Sequence, residues 1–394
     1  MKKVLIIGAG FLQDFVIQKA KKIGYETLAV DGNPLAIGFS SADKYKVIDI
    51  TNKEKCLEYA VEEKIDGVLT AATDYGVLTA AYIAEKMNIP GIPYYVAQLI
   101  KNKYLVRKCL YENSVDDTEK CYEIKSKESI EEIKNELPYP VIVKPCDGSG
   151  SRGTSRVDDA KDLERACIYA MESSLTHKAE IEPFIFGKEY GAESIVVDGE
   201  VHVLSIMKKW MTEPPYYAEL GHAIPSDLST EIEDKAKSCV KKAIKSLGIT
   251  FGSVNMDMII TSEGKVHIID IGARMGGNMI GPCIIPYGTG IDYMGIMIKN
   301  AVGDKVEWDI NSHEAVASKL LAFKGGVIKK LPDFSKLIES YGVEIYHHMS
   351  VGDKVNEYHT NLDGCGYIIS KGKTVKEAEE IAKKVLEEIE KEIF

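Results

Sequence analysis

The chain has 394 residues, enough for two to four domains, and its 45% hydrophobic content is that of an ordinary globular protein. The net charge of −11 is spread along the sequence with no basic stripe, and no apolar stretch reaches the length of a membrane span, so nucleic acid and membrane are excluded as main partners. Eight cysteines are scattered without a C-x-x-C, which suits a reducing cytoplasm and argues against a disulfide framework or a zinc site.

The first 95 residues alternate strand and helix signals. The start, MKKVLIIGAG, is basic then apolar and mimics a signal peptide. Its apolar run is short, however, no small-residue cleavage site follows, and Gln13 and Asp14 interrupt it, so Val4–Ile7 reads as a first strand. Leu12, Phe15, Val16, Ala20 and Ile23 then recur at helical spacing. Thr27–Val30 is a second strand, ending in the turn Asp31–Pro34. Strands at Lys46–Ile50 and Val68–Ala71 and a helix at Val77–Met87 complete a doubly wound α/β domain, which closes near Pro90–Pro93. Within it, GAGFLQ (8–13) is an incomplete G-x-G-x-x-G. It joins strand to helix, with Asp31 in the region of a ribose carboxylate, but Gln13 replaces the third glycine. Two glycines are also what any tight βα turn needs, so a dinucleotide site and a structural turn both stay open here.

From about residue 96 the pattern changes. A lysine-rich helix is expected over Ala97–Glu112, then a strand at Val141–Lys144. The loop GSGSRG (148–153) follows and is a complete G-x-G-x-x-G, but it leads into a short strand ending at Val157 and only then into a helix. A glycine loop between two strands is a flap, whose backbone N–H groups can lie over phosphates. Ser149, Ser151 and Arg152 add donors, and Lys144 puts a cation beside the cradle. The bland alternative is a flexible hairpin turn. No G-x-x-x-x-G-K-[ST] is present, which excludes a P-loop. Next come a helix near Ala160–Ser173, an extended stretch at Glu180–Phe184, a hairpin turning at Asp198 and Gly199, and a helix at Thr230–Leu247. A second hairpin, SVNMDMII-TSEG-KVHIIDI, follows. The C-terminal region carries strand-like Ala315–Phe323 and Val343–His347 and ends on an amphipathic helix, Val375–Ile393.

In the second hairpin, a two-residue turn at Glu263 and Gly264 would set Asp257 opposite Asp270 and Asn255 opposite Gly272. Directly opposed carboxylates, about 5 Å apart at Cβ, repel by about 3 kcal/mol at an effective dielectric near 20. A hard divalent cation shared with phosphates is the usual compensation, and an exposed face or a shifted register is the alternative. Arg274, Gly276, Gly277 and Asn278 follow at once, which favours a site.

Taken together these stretches resemble the ATP-grasp superfamily over nearly the whole chain. The resemblance rests on Asn102 and Lys103, "YPVIVKP" with Lys144, the "DGSGSRG" flap, "IEPFIFGKEY" with Glu182 and Glu189, "GSVNMDMIITSEGKVHIIDIGARMGG" and "GYIISKGKTVKEAEEIA". The N-terminal "GAGFLQ…DGNPLA" is similar to the domain preceding it, as in carbamoyl-phosphate synthase halves, which is Rossmann-like but does not use NAD. The implied organisation is α/β, α+β overall. A Rossmann-like pre-ATP-grasp domain spans 1–95, an ATP-grasp N-lobe with the glycine flap 96–185, a C-lobe with the metal site 186–302, and a small α+β region 303–394.

The resemblance also implies roles. Lys103 and Lys144 hold ATP phosphates under the flap residues Gly148, Ser149, Gly150, Ser151, Arg152 and Gly153. Glu182, Pro183 and Phe184 meet the adenine, and Glu189 the ribose. Asp257 and Asp270 hold Mg²⁺ (Mn²⁺ as an alternative), and Arg274 meets the transferred phosphoryl group. Glu219, His222, Arg274, Gly277 and Asn278 resemble the substrate residues of L-amino acid ligases. Many members carry an asparagine two residues after the second metal carboxylate, where this chain has Gly272. Asn255, across the hairpin, is expected to reach into the space this glycine leaves empty and to serve the metal. The implied chemistry is an ADP-forming carboxylate–amine ligation through an acyl phosphate, with small-molecule carboxylate and amine substrates, in the cytoplasm, with a homodimer as the candidate assembly. A carboxylase-like or carbamoyl-phosphate-type enzyme using bicarbonate or formate is the alternative within the fold. An NAD oxidoreductase is disfavoured by Gln13, and a non-catalytic nucleotide binder by the presence of both lysines and both carboxylates.

Overall fold

The aliphatic run Val4–Ile7 is buried throughout and forms an inner strand of a parallel four-stranded sheet, ordered Lys44–Val47, Glu26–Asp31, Lys3–Ile7, Gly67–Thr70. The computed structural model describes residues 1–148, 152–213, 216–308 and 313–394. The strand expected at Lys46–Ile50 forms over Lys44–Val47, as the exposed edge. Helix Phe11–Lys22 connects Lys3–Ile7 to Glu26–Asp31 and helix Tyr75–Met87 follows the last strand, both as the sequence pattern predicts, and Lys53–Glu63 adds a third helix, between Lys44–Val47 and Gly67–Thr70. The glycine loop at 8–13 is filled from within. A Cβ at Gly10 would stand 2.9 Å from Gln13 Oε1, and Gln13 Nε2 donates to the Ala71 carbonyl. Asp31 is likewise used locally, accepting from the Ala9 and Asn33 amides, each at 2.8 Å. Of the two readings of this loop, the geometry is that of a structural turn.

The single helix expected over Ala97–Glu112 is two helices, Tyr94–Ile100 and Lys103–Glu112. The break comes from Asn102, whose side chain caps the second helix by accepting from the Leu105 amide. Lys103 therefore begins a helix, and its amide is anchored to the Cys146 carbonyl at 2.6 Å.

A second, antiparallel sheet runs Tyr122–Ile124, Ala179–Pro183, Val141–Pro145, Ser155–Val157. Val143 pairs with Ser155, so the strands on either side of 148–153 are antiparallel neighbours, as the sequence pattern predicts. Ser149, Gly150 and Ser151 lie outside the described residues.

The third sheet has eight strands and is antiparallel: Val266–Gly272, Gly252–Ile260, Lys188–Val197, Glu200–Met211, Glu219–Ile224, Ala315–Leu320, Gly366–Gly372, Glu344–His347. Asp198 and Gly199 turn the first hairpin with φ of +50° and +76°, as a two-residue turn requires. Strands from both sides of residue 302 share this sheet, and the helix Val375–Ile393 packs on its C-terminal strands.

The register of the metal hairpin is reached by a route the sequence did not suggest. Thr261 pairs with Lys265, so the turn holds three residues rather than two, and Ile260 pairs with Val266. A β-bulge between Asp257 and Met258 then shifts the pairing by one, which sets Asp257 opposite Asp270 and Asn255 opposite Gly272.

Candidate active site

One cavity of about 1330 Å³ lies between the two antiparallel sheets and reaches the N-terminal domain. Of the described site residues expected from the sequence, all but Gly153 line it. Residues from positions 103 to 278 therefore converge on one space.

On the nucleotide side, strand alternation sends Lys144, Glu180 and Glu182 to one face, with Lys144 paired across to Glu180. Lys144 Nζ makes an ion pair with Glu182, and Arg107 Nε lies 3.4 Å from the same carboxylate. Phe184 packs edge-on against Phe186, with ring centroids 5.1 Å apart, under the Arg156 guanidinium. From the flap, Arg152 Nη2 donates to the Tyr75 hydroxyl at 3.0 Å.

Glu180 was not expected from the sequence. It is fully buried, and neither carboxyl oxygen has a hydrogen-bond partner among the described residues. Burial, with Glu182 beside it, raises its pKa from near 4.5 to about 8, against the pull of Lys144, Lys103 and Arg107. The folded state then holds a proton that the unfolded chain releases above about pH 4.5, so this group costs stability as pH rises through that window. Replacing Glu180 with Gln is expected to stabilise the protein relative to wild type by a margin that grows from pH 4.5 to 8 and then levels, on the order of a few kcal/mol. Melting temperatures of both proteins across that range check this; a constant difference would mean that Glu180 titrates normally.

The face where the sequence leads one to expect a metal carries Asp257 and Asp270. Lys209 Nζ lies 2.7 Å from Asp257, and Lys103 makes an ion pair with Asp270. Among the described residues no group of three or more His, Cys, Asp or Glu is arranged to hold a metal. Two opposed carboxylates with no further acid fit a hard cation that takes its other oxygens from phosphates and water.

Lys209 is the functional residue that sequence reasoning missed most plainly. It is buried, and it also lies 2.7 Å from Glu219 and 3.5 Å from Glu189. Alternation sends the adjacent Lys208 to the opposite face, toward Asp227 and Glu379. Nothing in the sequence distinguishes two neighbouring lysines until the strand's facing is known. One cation thus serves three carboxylates. Burial raises Glu189 and Asp257. Glu219 goes the other way: against its burial, Lys209, His222 and Arg274 hold it down at about 2.

Glu219 is further held by the Asn278 amide, and the Tyr358 hydroxyl bonds its backbone carbonyl. Asn278 and Met279 both have left-handed backbone, at φ of +49° and +62°, and this turns Asn278 toward Glu219. His222, paired across strands with Lys209, is buried, which lowers its pKa to about 4, although Glu219 pulls the other way. It is neutral near pH 7 and adds no charge to the pocket.

Arg274 is clamped from two sides. Its Nε donates to Asp74 Oδ1 at 2.9 Å and its Nη1 to Asn255 Oδ1 at 3.2 Å. The Asn255 amide donates to Glu193, a fully buried acid that also accepts from the Gly276 amide and the Tyr293 hydroxyl. The expectation of empty space beside Gly272 is corrected here. A Cβ at that position would stand 3.0 Å from Asp74 Oδ1 and 3.1 Å from Arg274 Cζ. Asn255 does share the metal face, with its oxygen engaged by Arg274. Neither Asp74 nor Glu193 carried a sequence signal, because each acts through partners far along the chain.

Residues 137–282 match the ATP-grasp domain family, and residues 319–393 match L-amino acid ligase C-terminal domain 2. The fold is similar to the crystal structure of L-amino acid ligase from Bacillus licheniformis, with a TM-score of 0.85 and 24% identity, covering 99% of this chain and 98% of that one. It is also similar to phosphoribosylglycinamide synthetase from Anaerococcus prevotii, with a TM-score of 0.80 and 24% identity, covering 98% of each chain. The formate-dependent phosphoribosylglycinamide formyltransferase of Bacteroides fragilis is 29% identical over 290 residues, 70% of this chain and 71% of that protein. The ATP-grasp domain over residues 137–282, within this fold, defines an ATP-grasp enzyme. Residues 137–282 thus carry an ATP-grasp domain and residues 319–393 the C-terminal domain of L-amino acid ligases, and the chain is an ATP-dependent, ADP-forming carboxylate–amine ligase. No helix among the described residues is long and apolar enough to cross a membrane.

Proposed function

We propose that this enzyme joins two amino acids, activating the carboxylate of one and coupling it to the amine of the other. The observation that carries this reading is Glu219, a partly buried acid in the same cavity as Arg274, 2.7 Å from Lys209 and held ionised by it. An amino acid offers an ammonium and a carboxylate, so its site needs an acid at one end and a base at the other. With one lysine among Glu189, Glu219 and Asp257, the pocket keeps an excess of negative charge that suits a substrate ammonium. Neutral His222 does not compete for it, and Tyr358 and Asn278 fix the acid in place.

Lys103 and Lys144 are assigned to the ATP phosphates, Glu182–Phe184 to the adenine and Glu189 to the ribose. Asp257 and Asp270 would hold Mg²⁺, which when bound supplies charge stabilisation to the phosphates. Asn255 is assigned to this face through its hold on Arg274. In the reaction a substrate carboxylate oxygen attacks the γ-phosphorus, and the bond from that phosphorus to the leaving ADP oxygen breaks. Arg274 steadies the acyl phosphate that forms. The second amine then attacks the acyl carbon, loses a proton, and phosphate leaves. Flap closure would keep water from the intermediate.

Screening ADP release against pairs of L-amino acids tests the reading. Amino acids should stimulate release. Glu219→Ala should raise the amino acid KM by on the order of 100-fold, as truncating a buried charged partner does, and leave ATP affinity nearly unchanged. Stimulation by bicarbonate or formate alone, with none by any amino acid, would overturn it.

A further inference from the structure

Position 272 lies beside the metal face, yet it carries no side chain. The space such a side chain would need is taken by Asp74 and Arg274, at 3.0 and 3.1 Å from the Cβ position. Asp74 comes from the N-terminal domain, at the start of the Tyr75–Met87 helix, 200 residues from the arginine it grips. Its two oxygens accept from Arg274 Nε at 2.9 Å and Nη2 at 3.4 Å. The other side of the guanidinium is held by Asn255 and by the Met275 carbonyl. Its five N–H donors are thus nearly all engaged, and the edge it presents to the cavity is set by partners on both flanks.

The same junction is fastened through the backbone. The Ala72 amide donates to the Met275 carbonyl at 3.0 Å, and Gln13 in turn holds the Ala71 carbonyl. The N-terminal domain therefore reaches the Arg274 loop by one side-chain clamp and one backbone bridge.

We infer that Asp74 is a positioning residue for Arg274, and that Gly272 is required because the Asp74–Arg274 pair occupies its side-chain space. The inference rests on the role of Arg274 proposed above. It does not depend on the amine substrate, so its test can be read on ADP release with whichever carboxylate supports turnover. Failure of the amino acid assignment and failure of the clamp are then distinguishable.

The test is a double-mutant cycle on the full chain with Asp74→Ala and Gly272→Ala, measuring kcat for ADP release and, by calorimetry, the affinity for a non-hydrolysable ATP analogue. Asp74→Ala should lower kcat on the order of 100-fold, as a misplaced positioning group does, with analogue affinity nearly unchanged. Gly272→Ala should lower kcat in the wild-type background, because the methyl group displaces the clamp. In the Asp74→Ala background the same change should cost much less, since Asp74 no longer fills the space and the unclamped Arg274 can move away from the added methyl group. Should Asp74→Ala yield no folded protein, Asp74→Ser replaces it in the same cycle, because it shortens the side chain away from the Gly272 Cβ position and keeps a polar group at the start of the helix. Additive losses, a near-normal kcat without Asp74, or a loss of nucleotide affinity that matches the loss of kcat would each overturn the inference.

Discussion

Replacing Lys209 with Met is expected to destabilise the protein by about 3–5 kcal/mol and to stop turnover. Removing the buried cation leaves the partly buried Glu189, Glu219 and Asp257 facing one another without their shared partner, and breaking such a pairing costs that much. The pH dependence has a definite sign. In the wild type Glu219 is held at about 2, below its ordinary 4.5, so its contribution to stability is present above pH 4.5 and is lost only as pH falls through about 2. Without Lys209 that contribution is gone, and the carboxylates can recover neutrality only by taking up protons. The deficit should therefore be largest at neutral and alkaline pH and should shrink in acid. Added Mg²⁺ should recover more stability in the variant than in the wild type, because a second cation then meets Asp257. Thermal melts at several pH values, with and without Mg²⁺, check all three statements; an unchanged melting temperature at neutral pH would remove Lys209 from the centre of the site.

The second large effect concerns turnover with the fold intact. Lys144→Ala and Asp270→Asn should each lower kcat by at least about 100-fold, equivalent to about 3 kcal/mol in the transition state, because each removes a preorganised charge at the phosphate end. Neither should unfold the chain. Lys144 is paired with Glu182, which keeps Arg107 nearby at 3.4 Å, and Asp270 is half exposed. Steady-state ADP release with circular dichroism as a folding control decides each case. A variant that retains near-normal kcat refutes the role given to its residue.

The opposition of Asp257 to Asp270 shows how sequence reasoning can reach the right pairing through the wrong turn. A two-residue turn was assumed, but the turn holds three residues, and a bulge restores the register. Alternation and the demand for a buried face constrain which side chains meet, whereas turn length is a local backbone choice that a bulge can offset. The helix over 97–112 failed for a related reason. Its apolar and basic periodicity is continuous, but Asn102 offers a cap that stops one helix and starts another with Lys103 at its head.

The sequence by itself determined the α/β alternation of the first 95 residues, the glycine loop between two strands, and part of the set of lysines and carboxylates that line the cavity, Lys103, Lys144, Asp257 and Asp270 among them. These follow from periodicity, glycine placement and charge, all properties of short stretches of chain. Tertiary structure alone decided the electrostatics. Which of Lys208 and Lys209 enters the site depends on strand facing, and the grip of Asp74 on Arg274 depends on how the N-terminal domain docks. The same holds for the buried acids Glu180 and Glu193, since the free energy of a charge depends on its burial and on the partners that long-range packing supplies.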